Sequence, residues 1–147
     1  MKMKKMILAA VSVMAAMLCL ASCGSGESLP FEKVDNYYFK NGASLPETPV
    51  INSPRELLSH FGMAATMSPD GKPTFVDFEK NFVIAVVPPR TDKATELIPV
   101  SVTRRGETLV FTSKEQVGEQ LSYIMQPLLL ISVDRQYQSP KVVVKKK

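Results

Sequence analysis

The chain has 147 residues, with 18 basic and 14 acidic side chains, one histidine, two cysteines and no tryptophan. That length holds one domain once a leader is set aside, and a formal charge of +4 is too small and too dispersed for a nucleic-acid footprint. One histidine and two cysteines leave too few soft ligands for a transition-metal cluster, and a 7% aromatic content without tryptophan weighs against a sugar-stacking groove.

The chain opens on Lys2, Lys4 and Lys5, followed by an apolar run over residues 6–20 broken only by Ser12. At 15 residues the run is shorter than the roughly 18–20 of a lasting transmembrane helix. A charged start, an apolar middle and the small residues Ala21 and Ser22 form the pattern of an export signal. The tetrapeptide Leu20-Ala21-Ser22-Cys23 resembles the lipobox of bacterial lipoproteins. The resemblance implies that residues 1–22 are a signal peptide, that the chain is cut before Cys23, and that Cys23 carries lipid. Lipoproteins of this kind bear several acyl chains, and two or more hold a protein durably on a membrane. Gly24 stands where enteric bacteria place the aspartate of inner-membrane retention, which implies the outer membrane, on its periplasmic face or at the cell surface.

Removing residues 1–22 from 147 leaves 125, with 15 basic against 14 acidic side chains. Cys19 departs with the signal and Cys23 is consumed by lipid, so no disulfide and no thiol nucleophile is expected in the mature chain. Residues 23–30 are mostly small or polar and read as the lipidated N-terminus and a flexible tether. Residues 31–147 are then a single domain. Residues 31–40 suit a first strand or an extended arm, and 41–49, with Asn-Gly and two prolines, a loop.

Ser53-Pro54-Arg55-Glu56 is a helix start: Ser53 can accept from the amide of Glu56, Glu56 can reach back to the amide of Ser53, and Pro54 loses nothing at the first position. The helix is expected over 54–61, docked by Leu57, Leu58 and Phe61, with Gly62 as a left-handed stop. His60 falls on it as a surface residue. Residues 82–87 form a six-residue apolar run, which predicts a strand covered on both faces in the middle of the sheet, stopped by Pro88 and Pro89. Residues 96–103 and 108–112 read as partner strands around an Arg104-Arg105-Gly106-Glu107 turn. Residues 113–120 are polar apart from Val117 and read as a loop. A second buried strand is expected at 128–133, a terminal strand at 142–144, and a solvated basic tail at Lys145, Lys146 and Lys147. Together these predict an α+β domain: a mainly antiparallel sheet of about five strands with one short helix packed on it.

Signatures of catalysis are sparse. The chain holds no His-Glu-x-x-His, no Gly-x-Ser-x-Gly elbow and no phosphate-binding Gly-x-x-x-x-Gly-Lys. Asp77 and Glu79, at alternate positions, are the nearest acidic pair and read as a solvated face. No catalytic residue, metal ligand or cofactor is assigned, and the expectation is a protein that is not an enzyme. Tyr37, Tyr38 and Tyr123 are the aromatics that could anchor an interface. The candidate partner-binding residues are Arg90, Thr91, Asp92 and Lys93, in a loop over 88–95 whose prolines would present Arg90 at little ordering cost; the same prolines also serve simply to end a strand.

From Val50 onward the chain resembles the C-terminal domain family of PrcB, a lipoprotein that stabilises a surface protease complex. The resemblance rests on Ile51-x-Ser53 before a short helix, Val76-Asp77-Phe78 leading into the 82–87 strand, a hairpin, and an apolar strand begun by Pro127. Where that family carries a Gly-Gly-Tyr type turn, this chain has Asp92-Lys93-Ala94-Thr95, so no functional residue transfers. The resemblance implies a non-catalytic module that binds or stabilises an exported partner, a peptidase among the candidates. The alternatives are an inhibitor of an exported peptidase and a cell-envelope hydrolase.

Overall fold

The computed structural model describes residues 26–45, 48–65 and 71–147; the expected signal peptide and Cys23 lie outside the described residues. In chain order the elements are β1 (Glu27–Leu29), β2 (Glu32–Val34), β3 (Tyr37–Phe39), β4 (Val50–Ile51), α1 (Pro54–His60), β5 (Phe61–Met63), β6 (Asn81–Val86), β7 (Thr91–Arg105), β8 (Thr108–Met125), β9 (Leu129–Asp134) and β10 (Lys141–Lys146). A single 3-10 turn, Arg135–Tyr137, separates the last two.

The two apolar runs pair with each other. β6 and β9 are antiparallel from Asn81↔Asp134 to Val86↔Leu129, inside a four-stranded sheet of order β2-β9-β6-β4. Because strand side chains alternate between faces, Phe82, Ile84, Leu129, Ile131 and Val133 enter one core, while Val83, Ala85 and Leu130 enter another. A sheet apolar on both faces must be covered on both. One cover is a second four-stranded sheet, order β1-β7-β8-β10, which contributes Leu29, Leu97, Val102, Leu109 and Phe111. The other is α1 with the two-stranded β3-β5 sheet and Val76, contributing Leu57 and Phe61.

The fold class therefore differs from the α+β expectation. Strands hold 57% of the described residues and helix 9%, in three sheets of four, four and two strands. The one helix is present, but it caps one face of a β sandwich. Two polar stretches account for the difference. Residues 113–120 lie within the 18-residue β8, and Thr91, Asp92 and Lys93 open the 15-residue β7. Both lack the apolar alternation that distinguishes a strand from a loop in sequence, a pattern that arises only when one face of a strand is buried. Residues 27–29, expected within the tether, form β1. Glu27, Ser28 and Leu29 pair antiparallel with Arg104, Thr103 and Val102, and Leu29 is buried. Backbone pairing recruits this segment, and it needs only one apolar side chain to hold it. Lys145 and Lys146, expected in a tail, lie in β10, which runs parallel to β8; Lys146 pairs with Glu115.

The helix start follows the sequence closely. Ser53 Oγ accepts from the Glu56 amide at 3.1 Å, and Glu56 Oε2 accepts from the Asn52 amide at 3.0 Å, one residue earlier than expected. The end differs, because Phe61 is already extended, at φ −122° and ψ 141°, and carries the chain straight into β5. Gly62 is needed for space rather than for a left-handed turn: a Cβ there would overlap the Tyr38 ring lying across it. Leu57 and Phe61 are buried as expected, whereas Leu58 faces solvent. Arg135 ties the layers together, donating to the carbonyls of Phe78 and Asn52, each at 2.6 Å.

Candidate protein-binding ribbon

β7 and β8 outrun their neighbours. β1 covers β7 only at Val102, Thr103 and Arg104, and β10 covers β8 only from Thr108 to Ser113. Past those limits, among the described residues, the two strands pair solely with each other, from Leu97↔Glu115 to Thr91↔Met125. The result is a two-stranded ribbon with no third strand on either side, a form that accepts an added strand; on β7 the Lys93 and Thr95 amides already have partners in Thr91 Oγ1 and Met125 Sδ.

The register explains the ribbon's shape. Between Thr91↔Met125 and Lys93↔Gln120, β8 uses more residues than β7, and such a bulge bends a strand and turns side chains outward. Residues 121–124 fall in it. Tyr123 is 63% exposed, Ile124 68% and Val117 53%, so three large apolar side chains stand clear of both cores. Gly118 lets the strands close up, since a Cβ there would come within 3.3 Å of the Ala94 carbonyl oxygen. A concavity of about 450 Å³ opens on the ribbon, with Val117, Leu121, Tyr123 and Met125 in its lining. A second, of about 340 Å³, shares Thr95, Glu96 and Met125 with it and reaches Tyr37 and Tyr38.

The candidate residues named from sequence lie at the far end of this ribbon. Arg90 precedes β7 and donates from Nη2 to Asn41 Oδ1 at 3.0 Å, so it is held against the body. Thr91 Oγ1 accepts from the Lys93 amide at 3.1 Å, and Asp92 and Lys93 are exposed on the strand. A recognition loop is thus replaced by a strand terminus. Val117 and Ile124 are not legible as site residues in the sequence: an isolated valine in a polar run gives no periodic signal, and the stretch 121–125 carries no turn or alternation signal of its own. Tyr123 was singled out, and it is the aromatic of the group.

The remaining candidates have structural partners. His60 Nδ1 lies 2.7 Å from the Ser44 carbonyl oxygen, and since a carbonyl only accepts, Nδ1 carries the proton. Asp77 and Glu79 do not share the face of an extended segment. They belong to a turn in which Asp77 Oδ1 accepts from the Glu79 amide at 3.0 Å and the Asp77 carbonyl accepts from the Asn81 amide at 2.8 Å. Among the described residues no group of three potential metal ligands converges, and no helix is long and apolar enough to cross a membrane.

Tyr37 donates its hydroxyl to the Thr74 carbonyl at 2.9 Å, and burial raises its pKa above the ordinary 10.0. Below pH 10 this group contributes its full stability. As pH climbs, the unfolded chain sheds the phenol proton first, so stability falls until the folded phenol ionises too. Tyr37→Phe is expected to cost about 0.5–1.5 kcal/mol at neutral pH and to show a shallower alkaline loss than wild type. Urea denaturation at a series of pH values checks both; a parallel loss in the two proteins would contradict the burial argument.

No family model, no curated protein and no solved structure matches the chain.

Proposed function

We propose that this protein is a lipid-anchored, non-catalytic module of the bacterial cell envelope that binds or stabilises an exported protein, with exported peptidases as the leading class of partner. The observation that carries the reading is the ribbon of residues 91–97 and 114–125, where Tyr123, Ile124 and Val117 are exposed on strands that no third strand covers. Interfaces draw most of their energy from a few aromatic and aliphatic anchors, and unpaired strand edges supply directional hydrogen bonds to an extended segment. The lipobox and the resemblance to the PrcB domain supply the compartment and the type of partner.

The test is cross-linking in intact cells followed by capture of the tagged mature chain. Wild type is expected to recover one exported protein in near-constant proportion. The double variant Tyr123→Ser, Ile124→Ser changes only exposed side chains and should keep its fold, yet lose about 2 kcal/mol of binding, roughly 30-fold in affinity. Undiminished capture by the variant would refute the ribbon as the binding surface. If the partner is a peptidase, its activity in the recovered complex tells a stabiliser from an inhibitor.

A further inference from the structure

The route of the chain into the fold sets how an anchored molecule stands on its membrane. Glu27 pairs with Arg104 and Leu29 with Val102, so the chain on the N-terminal side of β1 leaves the body at the β7–β8 turn. Gly26 lies against the Arg105 side chain there, close enough that a Cβ would contact it at 2.9 Å. From Cys23 to Glu27 is four residues, and an extended chain of that length spans at most about 14 Å. The turn therefore cannot move far from a lipid held on Cys23.

The turn end suits a headgroup layer. Arg105, Gly106 and Glu107 are exposed, and Lys141, opposite Thr108, brings a second exposed cation to the same end. Glu27 already neutralises Arg104, so Arg105 and Lys141 are the cations that face outward, with Glu107 the one exposed carboxylate among them; the end keeps a net positive charge, and cations near an anionic lipid surface are attracted to it. The ribbon lies at the other extreme of the same hairpin. From Thr108 to Gln120 the strand climbs up to about 40 Å at the usual rise per residue, less what the bulges take up.

Resting on the lipoprotein reading, we infer that the Arg105–Lys141 end docks on the phospholipid headgroups of the anchoring membrane and that the β7–β8 ribbon is the membrane-distal tip. Tyr123 and Ile124 are then held away from the lipid on which the protein sits and meet a partner standing off the bilayer. Without the short tether the same exposed Tyr-Ile pair would equally fit insertion into lipid, and the reach from Cys23 decides against it.

The experiment uses the acylated mature protein in vesicles of zwitterionic and anionic phospholipid doped with a headgroup-nitroxide lipid. With Cys23 blocked by its acyl group, Glu107→Cys and Glu119→Cys each offer a single thiol for a fluorophore; Ser28→Cys, exposed near the same turn, and Tyr123→Cys form a second pair in case one variant misfolds. Flotation with the vesicles reports the anchor. Quenching reports orientation, and the probes at 28 and 107 are expected to be quenched several-fold more than those at 119 and 123. Protein that floats but is quenched equally at both ends, or more at 119 and 123, overturns the inference while the anchor stands. Failure to float overturns the lipoprotein reading itself, and the inference with it.

Discussion

Phe82→Ala is expected to lower the stability of the domain by about 3–5 kcal/mol, with a fall in melting temperature on the order of 10–20 °C. Phe82 has no exposed surface and sits in β6 opposite Val133, in the core between the two four-stranded sheets. Truncation removes the transfer energy of the ring and leaves a void between the sheets that closes only in part, because each hydrogen-bonded sheet is stiff and the surrounding side chains still prop the two apart. A domain of this size is stable by only about 5–15 kcal/mol, so one ring accounts for a large share. Phe75→Ala supplies the contrast within the same chain: that ring is 87% exposed, and its loss should fall within about 0.5 kcal/mol of neutral. Urea denaturation of the two variants separates these cases. A midpoint for Phe82→Ala close to wild type would mean that the space between the sheets is not the tightly packed core described above.

The two phenylalanines also show what could be read from the amino acids. The run Phe82-Val83-Ile84-Ala85-Val86 predicts a strand apolar on both faces, and that prediction places both cores, because β6 and its partner β9 feed one with their even and odd positions and the second with the alternate ones. Ser53 and Glu56 announce the helix start because capping is local chemistry. The hairpin turn at Gly106, where φ is +60°, is local as well. What could not be read is pairing that leaves no mark on side chains. β1 joins its sheet through backbone hydrogen bonds, β10 lies parallel to β8 for reasons no neighbouring residue reveals, and the ribbon is wet on both faces, so it shows no alternation. The candidate site was hidden for that last reason: exposure on a strand and exposure in a loop select the same polar residues. Tyr123 drew notice as an aromatic, whereas Val117 acquires meaning only once its partner Thr95 is known.

Cys23→Ala is expected to abolish acylation completely and to leave the chain as an uncut precursor retaining residues 1–22. The thiol of Cys23 is the attachment point that the lipobox resemblance implies, and Cys19 would lie on the discarded side of the implied cut. Each buried methylene adds about 0.8 kcal/mol of membrane affinity, so one acyl chain holds marginally and several hold almost irreversibly; losing the attachment point therefore changes partition in an all-or-none manner. Folding should not notice. β1 begins at Glu27, beyond Cys23, and a chain started at Gly24 retains every pairing of the two large sheets. Its melting temperature should match that of the acylated protein in detergent. Incorporation of a labelled fatty acid and the intact mass of the product check the first expectation. Label retained by the variant, or a wild-type mass carrying a free Cys23 thiol, would remove the anchor. The proposed encounter of the ribbon with an exported partner would then lose the membrane tether on which its orientation depends.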